Sequence, residues 1–179
     1  MTYVHVKMDQ GAVLPRPSSA YDGISTHGID TCTGLAIVSE KHVFLAHISP
    51  PVQDEHVRGG TINNSAETMI AQDAWYNKMR NIIFDALSSM GGKIQQIVIV
   101  SNAGEVQDRQ ISGAILIKDR FDIYFKGVIN GCVPEQRHGK AVRVEARTGS
   151  VKEQSGSYKQ GDCSEFDARD GDDVLVFMN

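Results

Sequence analysis

The chain is poor in cysteine, with three in 179 residues, Cys32, Cys132 and Cys163. An odd number at wide spacings excludes the disulfide framework of a small secreted scaffold. The common metal-binding spacings are missing too. No Cys-x-x-Cys, no His-Glu-x-x-His and no paired-His helical interval occurs among His5, His27, His42, His47, His56 and His138, so the sequence points to no metal and no cofactor. Proline is scarce, at five residues, and no shift in composition marks a linker. Residues 1–179 therefore read as a single domain, long enough to bury a sizeable core. Excess positive charge is also absent: 18 Lys and Arg against 22 Asp and Glu leave a net charge of −4 with both signs interspersed. That gives no footprint for nucleic acid or an anionic membrane. No apolar run approaches the roughly 18 residues needed to span a bilayer, and the start MTYVHVKMDQ lacks the charge and apolar core of a signal peptide. The expectation is a protein with no nucleic-acid or membrane partner, cytoplasmic where it is made.

What is present is strand patterning around one long helix. Thr2 to Met8 alternates Val4, Val6 and Met8 against Tyr3, His5 and Lys7, the period of a half-buried strand. GAVLPRPSSAYDG reads as a loop, because Pro15 and Pro17 argue against a central strand. PPVQDEHVRGGTINNS, rich in Pro, Gly and Asn, reads as a long loop suited to a lid or a binding segment. Over about 65–90, Trp75, Met79, Ile82, Ile83, Ala86, Leu87 and Met90 recur on one helical face. Asn64 with Glu67 can cap its start, and Gly91-Gly92 can end it. Strands are expected at Lys93–Ser101, at Gln110–Lys118, at Phe121–Val128 after a turn at Asp119-Arg120, at Lys140–Ala146 and at Val174–Met178, the last a short apolar strand paired inside the sheet. Glu153–Asp173 reads as polar loop. The fold class is α+β: a mostly antiparallel sheet or β-sandwich covered by the long helix.

The stretch YDGISTHGIDTCTGLAIVSEKHVFLAHISPP carries the chemistry. Two apolar runs, Leu35–Val38 and Val43–Ala46, flank a short polar turn and predict a hairpin. Residues whose numbers sum to about 79 to 81 then face each other, which places Cys32 opposite His47 or one step away. A thiol beside an imidazole is a nucleophile beside its base. Cys32 has small neighbours, Gly28, Thr33 and Gly34, that admit a substrate carbonyl and leave amides for an oxyanion. Cys163 lies in polar loop, and Cys132, just ahead of Pro134, reads as a packed thiol. His42 belongs to the turn, whereas His47 shares the phase of Val43 and Leu45. A third group should orient the imidazole: Thr26 is one candidate, with Asp30 and Ser25 as weaker ones.

Thr26 six positions before Cys32, an apolar strand, then Ala46-His47 resembles the CheD chemotaxis deamidases. The interval from Cys32 to His47 across a short hairpin is similar to that of the cytotoxic necrotizing factor toxins. The pair Asp30-Thr31 stands where those families carry Gly-Ser or Ser-Gly. The resemblance covers about Ile24 to Pro50. It implies a CheD/cytotoxic necrotizing factor-like fold and a protein-glutamine deamidase, with Cys32 as nucleophile, His47 as base and then acid, and Thr26 as the polar third member. It also implies a partner, a protein substrate bearing a reactive glutamine. On the toxin side of the resemblance the chain would be an effector, exported without a cleavable signal or delivered into a host cell. Two other readings stay open at this point: an amidase for an N-terminal Asn or Gln or a small amide, and a non-catalytic β-rich interaction module. The oligomeric state is not legible.

Overall fold

The computed structural model describes residues 1–50, 57–58, 61–62, 66–102, 113–129, 131–156, 164–171 and 173–178. In chain order the first elements are β1 (Thr2–His5), β2 (Gln10–Pro15), β3 (Gly23–His27), β4 (Thr33–Ser39), β5 (His42–Ile48), β6 (Val57–Arg58) and β7 (Thr61–Ile62). There follow α1 (Ala66–Ser89), β8 (Ile94–Ser101), α2 (Gly113–Tyr124) and α3 (Lys126–Ile129). The chain ends with β9 (Glu135–His138), β10 (Ala141–Glu145), β11 (Val151–Gln154), β12 (Ser164–Asp167) and β13 (Leu175–Met178). One sheet runs β11-β10-β3-β1-β12 and the other β13-β2-β5-β4-β8-β9, while β6 and β7 form a separate short ribbon. Both large sheets are mixed, because β1 is parallel to β3 and β12, and β8 is parallel to β9.

Period-two alternation sorts the core into two layers. On β4 and β5, Ala36, Val38, Val43 and Leu45 face the other sheet, where they meet Val4, Ile24, Val142 and Val144. Their alternates Leu35, Ile37, Phe44 and Ala46 face the helices. The second sheet is thus the middle layer, buried on both sides, and its strands read as unbroken apolar runs. Each fully buried aliphatic or aromatic side chain here contributes about 1.5–3 kcal/mol.

The hairpin is in place, and α1 buries every apolar position that the sequence assigned to its inner face, Trp75 through Met90. Gly92, at φ +81, lets the chain leave that helix. The cap expected at Asn64 lies outside the described residues, as does most of the loop that contains β6 and β7. No described helix is long and apolar enough to cross a membrane.

Four expectations fail. Residues 113–129 are helical rather than two strands, with Asp119-Arg120 inside α2. Ala114, Ile117, Phe121, Phe125 and Ile129 recur at helical spacing and pack on the sheet beside α1, so burial of that stripe overrides the local strand-like alternation. Gln10–Pro15 is an inner strand, not a loop. Pro15 is tolerated because it closes β2, opposite His42, beyond Val13 where the β13 ladder ends. Within Glu153–Asp173, β12 forms a strand parallel to β1. Finally, β13 pairs at a sheet edge rather than inside it, with Leu175 and Met178 exposed.

Candidate active site

The site lies between the two sheets, at one end of the sandwich. Hairpin pairing brings Gly34 opposite His47 and Thr33 opposite Ile48. Cys32, the residue before β4, is therefore two positions out of register with His47, not opposite or one step away as the turn alone suggested. Two positions preserve the phase, so both side chains point toward the first sheet. Cys32 belongs to the same inter-sheet cluster as Ala36, Val38 and Leu45.

Thr26 reaches the imidazole from the opposite sheet. On β3, Ile24 and Thr26 face inward and Ser25 and His27 outward, and the Thr26 hydroxyl lies 2.8 Å from His47 Nδ1 and 2.8 Å from the Val6 carbonyl. A hydroxyl has one proton. With that proton donated to Val6, the oxygen accepts from Nδ1–H, which leaves the lone pair on Nε2. Nε2 is buried and has no hydrogen-bond partner among the described residues. The weaker candidates go elsewhere: Ser25 donates to Glu165 on the outer face, and Asp30 pairs with Lys140 at 3.3 Å. His42 opens β5 rather than lying in the turn, and it is satisfied by backbone, accepting the Gly91 N–H at 2.8 Å.

The thiol makes no hydrogen bond to His47. Cys32 Sγ points to Met8 Sδ at 3.8 Å, while the Met8 backbone bridges to His47. Met8 is thus joined to Cys32 through its side chain and to His47 through its backbone, and the side chain is exposed. Burial pushes the Cys32 thiol up, with the Asp9 and Asp30 charges adding to the effect and Thr31 opposing it. Burial also pushes the His47 imidazole down from 6.5 to about 4; Asp9 opposes this, and His5 and His27 reinforce it. Both groups are neutral near pH 7.

Asp9 joins the site only through the fold. Its backbone takes a left-handed turn at φ 62, and its N–H donates to the His47 carbonyl at 2.6 Å. Its carboxylate accepts from the Ser49 N–H at 3.1 Å and from Lys78 Nζ at 2.5 Å. Burial would raise this carboxyl, but the bonds from Lys78 and Ser49 outweigh it and hold it below the usual range. The result is a fixed negative charge behind His47, anchored to α1. An Asp ahead of Gln10-Gly11 is a turn signal that could have been read; its place beside His47 could not. Trp75 donates to the Ser49 carbonyl at 2.7 Å, which ties the end of β5 to the same helix.

Cys132 packs against the helical core and sits away from this layer. Cys163 lies outside the described residues. No protein-family model matches the chain, and no curated protein matches its sequence.

Proposed function

We propose that the chain is a cysteine-dependent amidohydrolase with a CheD/cytotoxic necrotizing factor-like fold that deamidates glutamine side chains of a target protein. The observation that carries this reading is the Thr26–His47 bond, which orients an unpartnered Nε2 in the layer that also holds Cys32. Thr26 is the positioning residue, and Cys32 and His47 are the reacting pair.

Because thiol and imidazole are both neutral at rest, no standing ion pair attacks the substrate. The Cys32 proton passes to His47 Nε2 as sulfur adds to the carboxamide carbon, and backbone N–H groups around Cys32 hold the oxyanion. His47 then protonates the departing ammonia as the C–N bond breaks and a thioester remains. Water, deprotonated by His47, adds to the thioester, and cleavage of the C–S bond releases glutamate and restores the thiol. The Asp9 carboxylate favours the imidazolium in each of these steps. The product places a new negative charge on the partner. Segment Pro50 to Ser65 is suited to choosing that partner.

The test is mass spectrometry for Gln-to-Glu conversion on candidate proteins and on glutamine peptides, with ammonia release measured in parallel. Conversion should vanish in Cys32→Ala and fall strongly in His47→Asn. Equal conversion by Cys32→Ala would sink the mechanism. Turnover of free amides or N-terminal Asn peptides with no protein conversion would move the chain to the small-amide reading. The Cys32–Met8 contact favours a second reading, a packed thiol in a β-rich interaction module. Iodoacetamide separates the two through the dependence on His47: slower labelling of Cys32 in His47→Asn marks a thiol assisted by the imidazole, and an unchanged rate marks a packed one.

A further inference from the structure

A second group of chemically active side chains lies on the outer face of the first sheet, away from the inter-sheet layer. Val4 and Thr26 point inward, so His5 and His27 point outward. Parallel pairing of β1 with β12 sets Tyr3 beside Glu165 and His5 beside Asp167, while β1 pairs with β3 through His5 and Ser25. Three neighbouring strands thereby bring His5, His27 and Glu165 into one patch, with one donor atom from each residue within 4.8 Å of the others. We propose that His5, His27 and Glu165 bind a divalent transition-metal ion of the Zn2+ class, which clamps β12 to β1 and β3. This inference does not depend on the deamidase reading.

The donor set is suited to such an ion. Two imidazoles and a carboxylate form a common zinc ligand set, and tetrahedral bonds of about 2.1 Å place donors about 3.4 Å apart. Glu165 Oε2 is 3.4 Å from His27 Nε2 and 3.8 Å from His5 Nδ1. The two rings are stacked, with centroids 4.4 Å apart and planes at 24°. Rotation of the more exposed His27 opens the stack toward a shared ion.

His5 Nδ1 supplies the independent observation. It is buried and has no hydrogen-bond partner among the described residues, a state that an apolar or purely structural face does not require. The carboxylate is also oriented: Ser25 donates to its Oε1 at 2.8 Å, leaving Oε2 toward both rings, as a supporting hydrogen bond does for a ligand. Arg143 lies 3.8 Å from that same Oε1, and Lys7 is held by Asp167 at 2.7 Å. Burial, together with the neighbouring His27, keeps the His5 imidazole below its ordinary range, in the neutral form that ligates.

The test begins with chelator-stripped protein titrated with ZnCl2 by calorimetry, with melting followed in parallel. One ion per chain and a raised melting temperature are expected. His27→Gln and Glu165→Gln should each weaken binding by at least about tenfold. Cys32→Ala should bind as the wild type does, and a Co2+ adduct should lack a thiolate charge-transfer band. If Glu165→Gln fails to fold, His27→Gln, at an exposed ring, carries the comparison. No binding, equal binding by His27→Gln, or loss of binding in Cys32→Ala would each overturn the site.

Discussion

The neutral His47 at the sheet interface makes stability depend on pH in a window that few other groups share. Its proton affinity falls from the ordinary 6.5 to about 4, chiefly through burial. The unfolded chain thus binds a proton at His47 as pH drops below about 6.5, while the folded chain resists until about 4. Stability falls as pH falls across that window, by about 3 kcal/mol in all and by about 2 kcal/mol between pH 8 and pH 5. The sign follows from the unfolded state holding more protons. Carboxyls held low, such as Asp9 and Glu145, lose their contributions only below their own ordinary values of 3.8 and 4.5. His5, also held low, acts with the same sign as His47. The contribution of His47 is isolated by His47→Asn, whose amide can still donate toward Thr26 but does not titrate. Urea unfolding followed by circular dichroism at pH 5 and pH 8 gives a stability difference within each protein, so any baseline loss in the variant cancels. The wild-type difference should exceed that of His47→Asn by about 2 kcal/mol. Equal differences would refute a neutral, buried imidazole and with it the assignment of Nε2 as a free base.

Removing the Thr26 hydroxyl by Thr26→Val strands the His47 Nδ1–H and the Val6 carbonyl, and should cost about 2–4 kcal/mol in urea unfolding; a loss under about 0.5 kcal/mol would contradict the bond. Deamidation by the wild type should show an acid limb in kcat/KM near the His47 value of about 4 rather than near 6.5. Met8→Ala uncovers the Cys32 sulfur, so iodoacetamide labelling of Cys32 should speed up severalfold, with labelling of Cys132 as the internal control. Phe121→Ala, on the buried stripe of α2, should cost about 3–5 kcal/mol, whereas Ile123→Ala, at 65% exposure, should fall within about 0.5 kcal/mol. Equal losses would argue against a helix there.

Wherever pattern and burial agreed, the sequence was readable. The α1 stripe and β10 repeat apolar residues at the period of the structure they form, because one face of each is buried, whereas the β4–β5 hairpin and β8 stand out as short apolar runs, because the middle sheet is buried on both faces. Segment 113–129 misled because DIYFKGV alternates locally while Ile117, Phe121, Phe125 and Ile129 step by four; only a sheet to pack against decides between the two periods. The polar strands β9 and β12 had no apolar signal, and partners from distant parts of the chain define them.

The candidate site divides along the same line. Sequence alone placed a cysteine, a histidine in core phase and a threonine near one another along the chain, because hairpin register is a local property. It did not decide that Thr26, rather than Ser25 or Asp30, meets the imidazole, since that depends on which face of β3 lies against the other sheet. Nor did it show Asp9 behind His47, or His5, His27 and Glu165 gathered on one outer face. Those contacts join residues separated by up to 160 positions, such as His5 and Glu165, and only the stacking and strand order of the two sheets brings them within reach.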